Sequence, residues 1–290
     1  MDDQRLLTAQ FETNRPHLRA VALRILGNAD DVDDALQETW LRLSNSGSAE
    51  IVNLAGWLTT VVSRICLNIL RTRQRSCAQS FDDLLTSGDR LVERTAPTPE
   101  ERAVIADSMG VALLIVLEML SPAERIAFVL HDMFSISFDE ISEVLGKSSD
   151  ACRQLASRAR RRVRTAEDPK FEPRRQREVV DAFLSASKSG DFQALLTLLS
   201  PDVELIADPT AVDIGAPPRL RGPLDVATRF SGGARAARVA LLNGRAGLVW
   251  AQGGKAKVAF DFTLVADRIT NIDMIGDEDV LGEMRIEFAS

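Results

Sequence analysis

The segment that most restricts the fold of this chain is a pair of short amphipathic patterns, separated by a glycine, within residues 137–164. In SFDEISEVLG, the residues Phe138, Ile141, Val144 and Leu145 recur at helical spacing. Gly146 follows them, where glycine commonly ends a helix. After a cap at Ser148 or Ser149, a second pattern puts small or apolar side chains on one face: Cys152, Ala156, Ala159 and Val163. Two helices joined by a tight turn with glycine predict a helix-turn-helix.

The second of these helices is strongly basic, although the chain of 290 residues has a formal net charge of −7. Residues 153–164 contain six arginines and no acid. A charge run is usually a solvated surface, but the second helix of a helix-turn-helix enters the major groove of DNA. We therefore predict that its arc opposite the apolar face binds DNA: Arg153, Gln154, Ser157, Arg158, Arg160, Arg161 and Arg164. The early Arg and Gln side chains suit base edges, and the later arginines suit phosphates.

Composition excludes several other classes of protein. No run of 18 apolar residues is present, so no membrane span is expected. The N-terminal MDDQRLL has acids where a signal peptide carries positive charge, so we expect a cytoplasmic protein. The few cysteines and histidines are scattered, which fits neither a disulfide framework nor a metal site: Cys66, Cys77, Cys152, His17 and His131. We expect a buried free thiol at Cys152, structural histidines, and no metal or cofactor.

The rest of the chain divides into helical and strand-rich parts. Residues 1–75 contain two long helical patterns, VDDALQETWLRL and AGWLTTVVSRICLNILRTRQR. Residues 76–101 are predicted to be a linker, residues 102–164 a second helical domain, and residues 165–177 another linker. Residues 178–290 begin with two helices around Ser189-Gly190-Asp191. Five strand-like runs follow, with hairpin signals at Asn243-Gly244 and Gly253-Gly254, and predict a separate α+β domain.

The two helical blocks resemble the extracytoplasmic-function (ECF) sigma factors of bacteria. Residues 11–75 resemble region 2 of that family, and residues 111–164 resemble region 4, in the same order and at similar spacing. The resemblance implies two all-α domains that bind promoter DNA and the clamp helices of the largest subunit of RNA polymerase core. Region 4 would read the −35 element through the basic helix. An ordinary helix-turn-helix regulator would have no use for the region 2 block.

Within region 2, the resemblance implies two functional surfaces. The core-binding surface would comprise Asp34, Gln37, Glu38 and Leu41. The −10 surface would comprise Trp57, Arg64, Asn68, Arg71, Arg73 and Arg75. A common pattern of the family has Asp where this chain has Asn68. Trp57 is open to two interpretations, because a tryptophan at a helix start either stacks on a base or packs in the core.

The strand-rich part resembles the SnoaL-like members of the NTF2-like fold, in which helices and a curved antiparallel sheet form a cone around an apolar pocket. Some relatives are isomerases or polyketide cyclases, so an enzyme or ligand-binding domain fused to a helix-turn-helix regulator is the alternative hypothesis. The chain has no tyrosine, and no histidine follows His131, which argues against catalysis. The candidate acids or bases are Asp208, Asp213, Asp261 and Asp273. We expect no catalytic residue, and instead a regulatory domain that contacts the sigma domains and has a pocket for a possible small ligand.

The acidic tail suggests one form of such regulation. Its acids are Asp277, Glu278, Asp279, Glu283 and Glu287. They would either mask the basic sigma surfaces or only keep the protein soluble, and the sequence leaves these alternatives open.

Overall fold

The computed structural model describes residues 2–46, 51–86, 116–166 and 173–288. Contacts divide the chain into two compact units. The first comprises residues 1–118 and 122–156, and the second comprises residues 119–121 and 157–290. None of the helices in these described ranges is both long and apolar enough to cross a membrane.

The first unit is helical. Its helices are α1 (Asp2–Leu26), α2 (Ala29–Ser46), α3 (Leu54–Thr86), α4 (Pro122–Phe128), α5 (Phe138–Leu145) and the start of α6 (Ser149–Ala166), with a π-helical turn at Val129–Met133. Gly27 ends α1 with a φ of 77°, and Asn28 begins α2 by accepting a hydrogen bond from the backbone N–H of Asp31 at 2.9 Å. The core between the first three helices includes the fully buried side chains of Leu18, Ile25 and Leu58.

The predicted helix-turn-helix is present as α5 and α6. Ser137 and Glu140 form a capping box at the start of α5, and Gly146 ends that helix in the left-handed region, with a φ of 65°. The hydroxyl of Ser148 accepts a hydrogen bond from the N–H of Ala151, so Ser148 is the residue that caps α6. The predicted apolar face of α6 is buried, as expected: Cys152, Ala156, Ala159 and Val163.

Helix α3 extends further than the sequence analysis expected. We ended the first helical domain at Arg75, whereas the helix continues to Thr86. Residues 76–86 contain neither glycine nor proline, so nothing in their sequence interrupts the hydrogen-bonding pattern of the helix. The rest of this predicted linker, residues 87–101, lies outside the described residues. The second predicted linker is shorter than expected, because a helix begins at Pro173.

The second unit is an α+β domain, as predicted. Its helices after α6 are α7 (Pro173–Ser189), α8 (Phe192–Leu198), α9 (Pro209–Asp213), α10 (Pro223–Phe230) and α11 (Glu278–Gly282). Its strands are β1 (Leu199–Ala207), β2 (Arg219–Arg221), β3 (Ala237–Leu242), β4 (Arg245–Gln252), β5 (Lys255–Val265), β6 (Arg268–Ile275) and β7 (Ile286–Phe288). They form one open sheet in the order β2-β1-β6-β5-β4-β3-β7, in which β1 and β6 are parallel and the other neighbours are antiparallel.

The five predicted strands are all present, as β1, β3, β4, β5 and β6. Both predicted hairpin turns have positive φ at their two central residues, 51° and 82° at Asn243-Gly244 and 61° and 79° at Gly253-Gly254. Positive φ at both positions suits the right-handed twist of the flanking strands. Strands β2 and β7 were missed, because each has three residues and neither has a periodic pattern long enough to detect.

One face of the sheet packs against α7 and α10 and carries aromatic rings. The ring of Phe183 in α7 lies 4.9 Å from that of Phe230 in α10 and 5.2 Å from that of Phe262 in β5, measured between centroids. The rings of Phe230 and Phe260 lie 5.9 Å apart. These side chains belong to the hydrophobic core of the domain. Aromatic side chains therefore fill the interior of the domain between α7, α10 and β5. We call this face of the sheet the inner face and the opposite face the outer face.

Candidate nucleic-acid interface

The first half of α6 presents polar side chains on its surface. Arg153 is exposed, forms an ion pair with Asp150, and holds its guanidinium 5.5 Å from the centroid of the Phe138 ring. Gln154 beside it is half-buried. The capped N-terminus of α6 thus holds an arginine and a glutamine where a recognition helix contacts base edges.

In the second half of α6, the arginines differ in exposure. Arg164 is exposed, and Arg160 is half-buried together with Ser157. Arg158 and Arg162, by contrast, have only 4% and 3% of their surface exposed. Arginine is almost never fully buried without a partner, so these two positions require anionic or polar groups close by.

Two aspartates of the sheet bind consecutive arginines of α6. One terminal nitrogen of Arg161 donates to both carboxylate oxygens of Asp273, at 2.6 and 2.7 Å. Arg162 donates from Nε and a terminal nitrogen to Oδ2 of Asp261, at 3.1 and 2.9 Å. Both carboxylates are almost fully buried. Hydrogen bonds between charged groups at these distances are among the strongest in proteins.

The register of the sheet explains why the two aspartates act together. Asp261 in β5 and Asp273 in β6 are directly paired across the antiparallel strands. Because side chains alternate along a strand, both carboxylates lie on the outer face, opposite Phe260, Phe262 and Met274 of the core. Like charges directly opposite each other on two strands repel. Two buried carboxylates in this arrangement therefore require the positive charges of α6 beside them.

The two carboxyl groups have pKa values shifted in opposite directions. Burial disfavours the ionised form of Asp261, but Arg162 and Arg245 outweigh this and lower its pKa. Burial also disfavours ionisation of Asp273, and Asp261 adds repulsion, so that its pKa is raised despite Arg161 and Arg158. Asn271 supports Asp273 by donating a hydrogen bond to Oδ2 at 2.8 Å.

The predicted −10 residues lie on α3, and most of them share one stripe. Helical spacing puts five of the six on one side of the helix: Trp57, Arg64, Asn68, Arg71 and Arg75. Arg64, Asn68 and Arg75 are exposed, while Trp57 and Arg71 are half-buried. A terminal nitrogen of Arg64 donates to the backbone carbonyl of Glu143, in α5, at 2.7 Å. This stripe is therefore in contact with the helix-turn-helix inside the first unit.

Arg73 departs from the stripe. Its guanidinium forms an ion pair with Asp31 and donates to the carbonyl of Leu26 at 3.3 Å. In this structure it therefore joins the end of α1 and the start of α2. Its separation from Arg71 and Arg75 follows from helical geometry, because side chains two positions apart point to different sides.

The predicted core-binding residues form one exposed face of α2. Asp34, Gln37, Glu38 and Leu41 follow the i, i+3, i+4, i+7 spacing, and all four are exposed. The side chain of Leu41 is an exposed large hydrophobic group, at 53% of its surface. Trp40, on the neighbouring side of the helix, is half-buried and its ring lies 5.2 Å from that of Phe11.

Two arginines with structural contacts were missed by the sequence analysis. Arg162 was left out of the DNA-binding arc, and its spacing of four residues from Arg158 is the sequence signal that the two share a side of α6. Arg125 in α4 is buried and donates to the carbonyl of Ile25 at 3.2 Å. Burial lowers its pKa to about 10, with Arg73 acting in the same direction against the opposing effect of Glu118.

The sulfur and imidazole groups are structural where the structure describes them. Cys66 and Cys152 are free and buried, and burial raises the pKa of the Cys152 thiol to about 11. Cys77 lies where side chains are outside the described residues. The Nδ1 of His131 donates to the carbonyl of Ile136 at 3.0 Å, and the ring of His17 lies edge-on to Phe134.

Comparison with known proteins identifies the family. Residues 10–76 match the family model for Sigma-70 region 2, and residues 110–163 match that for Sigma-70, region 4. The ECF RNA polymerase sigma factor SigJ of Mycobacterium tuberculosis is 38% identical over 253 residues, covering 82% of this chain and 79% of its own length. The probable ECF RNA polymerase sigma factor SigI of the same species is 33% identical over 213 residues, covering 72% of this chain and 73% of its own length.

A crystal structure of the SigJ protein has 32% sequence identity to this chain, covers 95% of it and 98% of the solved chain, and gives a TM-score of 0.38. From the sequence relatives, this chain belongs to the ECF family of RNA polymerase sigma factors. It is a promoter-recognition factor for transcription initiation, with an additional α+β domain after region 4.

Proposed function

We propose that this sigma factor reads the −35 element with the first half of α6 and the −10 element with the exposed stripe of α3, while its third domain regulates DNA binding and catalyses nothing. The observation that carries the proposal is the polar surface at the capped start of α6. An exposed arginine and a neighbouring glutamine there suit hydrogen bonding with base edges in the major groove.

In this proposal, Arg153 and Gln154 read bases, and the exposed Arg164 contacts a phosphate. Arg-to-guanine and Gln-to-adenine contacts are bidentate and therefore specific for the base. Phosphate contacts position the helix but carry no sequence information. Arg158, Arg160 and Arg161 remain predicted DNA contacts, and Ser157 belongs to the same arc.

On α3, Arg64, Arg71 and Arg75 follow the phosphates of the −10 strand, and Asn68 lies between them on the same stripe. The half-buried ring of Trp57 leaves part of its face for stacking on a base. Arg73 is the weakest member of the predicted set, because its guanidinium holds Asp31 within region 2.

Core binding is assigned to the exposed face of α2. Asp34 and Glu38 supply negative charge, Gln37 a hydrogen-bonding group, and Leu41 an apolar contact. Such a face suits a basic coiled coil, as the clamp helices of the polymerase would provide, because opposite charges steer association and an apolar anchor adds affinity. Association with polymerase and DNA implies action in the cytoplasm.

The third domain is proposed to have no catalytic role. Asp208 accepts hydrogen bonds from the backbone N–H groups of Ala211, Gly276 and Asp277, so it organises a turn. Asp261 and Asp273 face the outer side of the sheet, and Asp213 is exposed. The alternative, an isomerase- or cyclase-like enzyme, would need an acid or base directed into the cone.

A small ligand in the third domain stays a prediction, and the cone interior is an unfavourable place for it, because the rings of Phe183, Phe230 and Phe262 pack against one another there. The domain does have an open groove on its surface. Its lining residues are Gly215, Ala216, Pro217, Leu220, Asp225, Thr228 and Arg229.

Run-off transcription with purified core polymerase on a library of genomic promoters tests the proposal. The full chain should direct initiation at a subset of promoters. A variant with Glu38→Lys and Leu41→Glu should lose this activity but still bind promoter-length DNA, because its α6 is intact. Failure of the unmodified chain to start transcription from any promoter, with a known sigma factor active in the same assay, would refute the proposed function.

A further inference from the structure

We propose that Asp261 and Asp273 form a latch that holds the second half of α6 on the outer face of the sheet, and that DNA displaces this latch in order to bind α6 fully. The inference rests on the proposed role of α6 as the DNA-reading helix. It differs from the tail hypothesis, because the acids that hold these arginines are on β5 and β6.

The first argument is the position of the latch on the helix. Arg158, Arg161 and Arg162 follow the i, i+3, i+4 spacing, so they project from one side of α6. Arg161 and Arg162 meet the sheet directly, and Arg158 is buried beside them and contributes to the potential at both aspartates. Arg158 and Arg161 belong to the arc predicted to face DNA. The same charges therefore have two competing anionic partners.

The second argument is steric. An α-helix with its side chains is about 10–12 Å in diameter, and the major groove of B-DNA is about 12 Å wide. A recognition helix thus fills the groove, and no room is left for a β-sheet beside it. The sheet lies within one arginine and one aspartate side chain of α6, with donor–acceptor distances of 2.6–3.1 Å. The second half of α6 cannot enter the groove while these contacts are made.

The third argument is the chemistry of exchange. Opening the latch removes the arginines from two buried carboxylates that are paired across β5 and β6. Water that reaches the uncovered carboxylates offsets part of this loss, because burial of a charged group carries a desolvation cost. DNA phosphates offer the released guanidinium groups equivalent bidentate partners. Phosphates thus replace the two carboxylates as partners of the arginines. The latch therefore lowers the affinity for DNA without abolishing binding. The tail acids Glu278 and Glu287 pair with Lys257 and Arg285 of their own domain.

The test compares the full chain with the double variant Asp261→Asn/Asp273→Asn. The probe is a fluorescent duplex of random sequence, whose binding is measured by anisotropy over a range of salt concentrations. Release of two or three arginines to phosphates should make the plot of log K against log [salt] steeper by roughly 2, since each contact adds about 0.9 to the slope. At moderate salt the affinity should rise about tenfold, because each added phosphate contact releases further counterions.

The control is the double variant Asp202→Asn/Asp225→Asn. Both of these acids are exposed and lie in the same domain, so the change in net charge is identical while the latch is untouched. The latch is supported if Asp261→Asn/Asp273→Asn steepens the plot of log K against log [salt] and raises the affinity for DNA, while the control variant changes neither. Equal changes in both variants, or no change in either, would overturn it.

If the double variant does not fold, as judged by circular dichroism, the single variant Asp273→Asn replaces it. An amide oxygen at this position can still accept a hydrogen bond from Arg161, while the charge is lost. The slope should then rise by about half as much, and a folded Asp273→Asn chain with an unchanged slope would contradict the latch.

The outcome is separable from that of the proposed function. If the latch variant has a steeper salt dependence and the unmodified chain starts no transcription, the latch stands and the proposed promoter-reading function is refuted. An unmodified chain that directs run-off transcription, with no slope change in the latch variant, leaves the sigma function standing and removes the latch.

Discussion

Helix α6 carries arginines along its whole length, and its two halves differ in what surrounds them. In the first half, Arg153 is exposed and paired with a neighbour on its own helix. In the second half, Arg161 and Arg162 are bound by aspartates more than 90 residues away in the sequence. The difference shows that the arginines of one basic helix need not share one role. Arg161 and Arg162 pair with a β-sheet of the unit that contains the second half of α6.

The largest effect is expected from breaking the buried pair of the second half. Arg162→Ala leaves the carboxylate of Asp261 buried without its main partner, and removal of one partner from a buried ion pair typically costs about 3–5 kcal/mol. The third domain should unfold at a clearly lower temperature, measured by calorimetry on the full chain.

The matched control is Arg219→Ala, which removes a partner from the more exposed Glu204. Exposed ion pairs contribute about 0–1 kcal/mol, so this variant should unfold close to the unmodified chain. Equal losses in the two variants would mean that burial does not distinguish the second half of α6 from ordinary surface charge.

In the first half, the effect should appear in DNA recognition and not in stability. Arg153→Ala should weaken binding to a selected promoter by about 1–3 kcal/mol and relax the preference at one base pair. Competition binding against a set of single-base variants of that promoter measures both. A uniform loss on every sequence would reassign Arg153 to a phosphate.

Most of the architecture could be predicted because its signals are local. Each of these signals is a residue type that suits one backbone conformation. Examples are the serine cap of α6, Gly146, and the hairpin turns at Asn243-Gly244 and Gly253-Gly254. Three-residue strands such as β2 have no such signal.

The latch could not be predicted, because it depends on register. The sequence marks Asp261 and Asp273 only as candidate acids, and their pairing across two strands appears only when β5 and β6 are aligned. Helical periodicity assigned Arg161 to a polar arc, but periodicity does not say whether that arc faces DNA, solvent or protein. Periodicity likewise could not predict that Arg64 on α3 donates a hydrogen bond to the carbonyl of Glu143.

A smaller effect is expected from Arg164, which lies in the second half but is exposed. Arg164→Ala should weaken binding to all duplexes about equally and reduce the slope of log K against log [salt] by about 1. The measurement is the same salt titration, on promoter and random DNA in parallel. A loss confined to the promoter would place Arg164 among the base-reading residues and remove the functional division between the halves.

The smallest effect on stability is expected from Asp273→Asn. Comparing this variant with Asp261→Asn tests whether the pKa values of the two carboxyl groups are shifted in opposite directions. The pKa of Asp261 is lowered, so its ionised form stabilises the folded state above the unfolded pKa, and this contribution is lost as the pH falls through the folded value. The pKa of Asp273 is raised, so ionisation of this carboxyl does not add to the stability of the folded state. Neutralising Asp273 should therefore change the unfolding temperature at pH 7 little, while Asp261→Asn should lower it. Calorimetry of both variants at pH 7 makes the comparison, and a greater loss from Asp273→Asn would reverse the assignment of the two carboxylates.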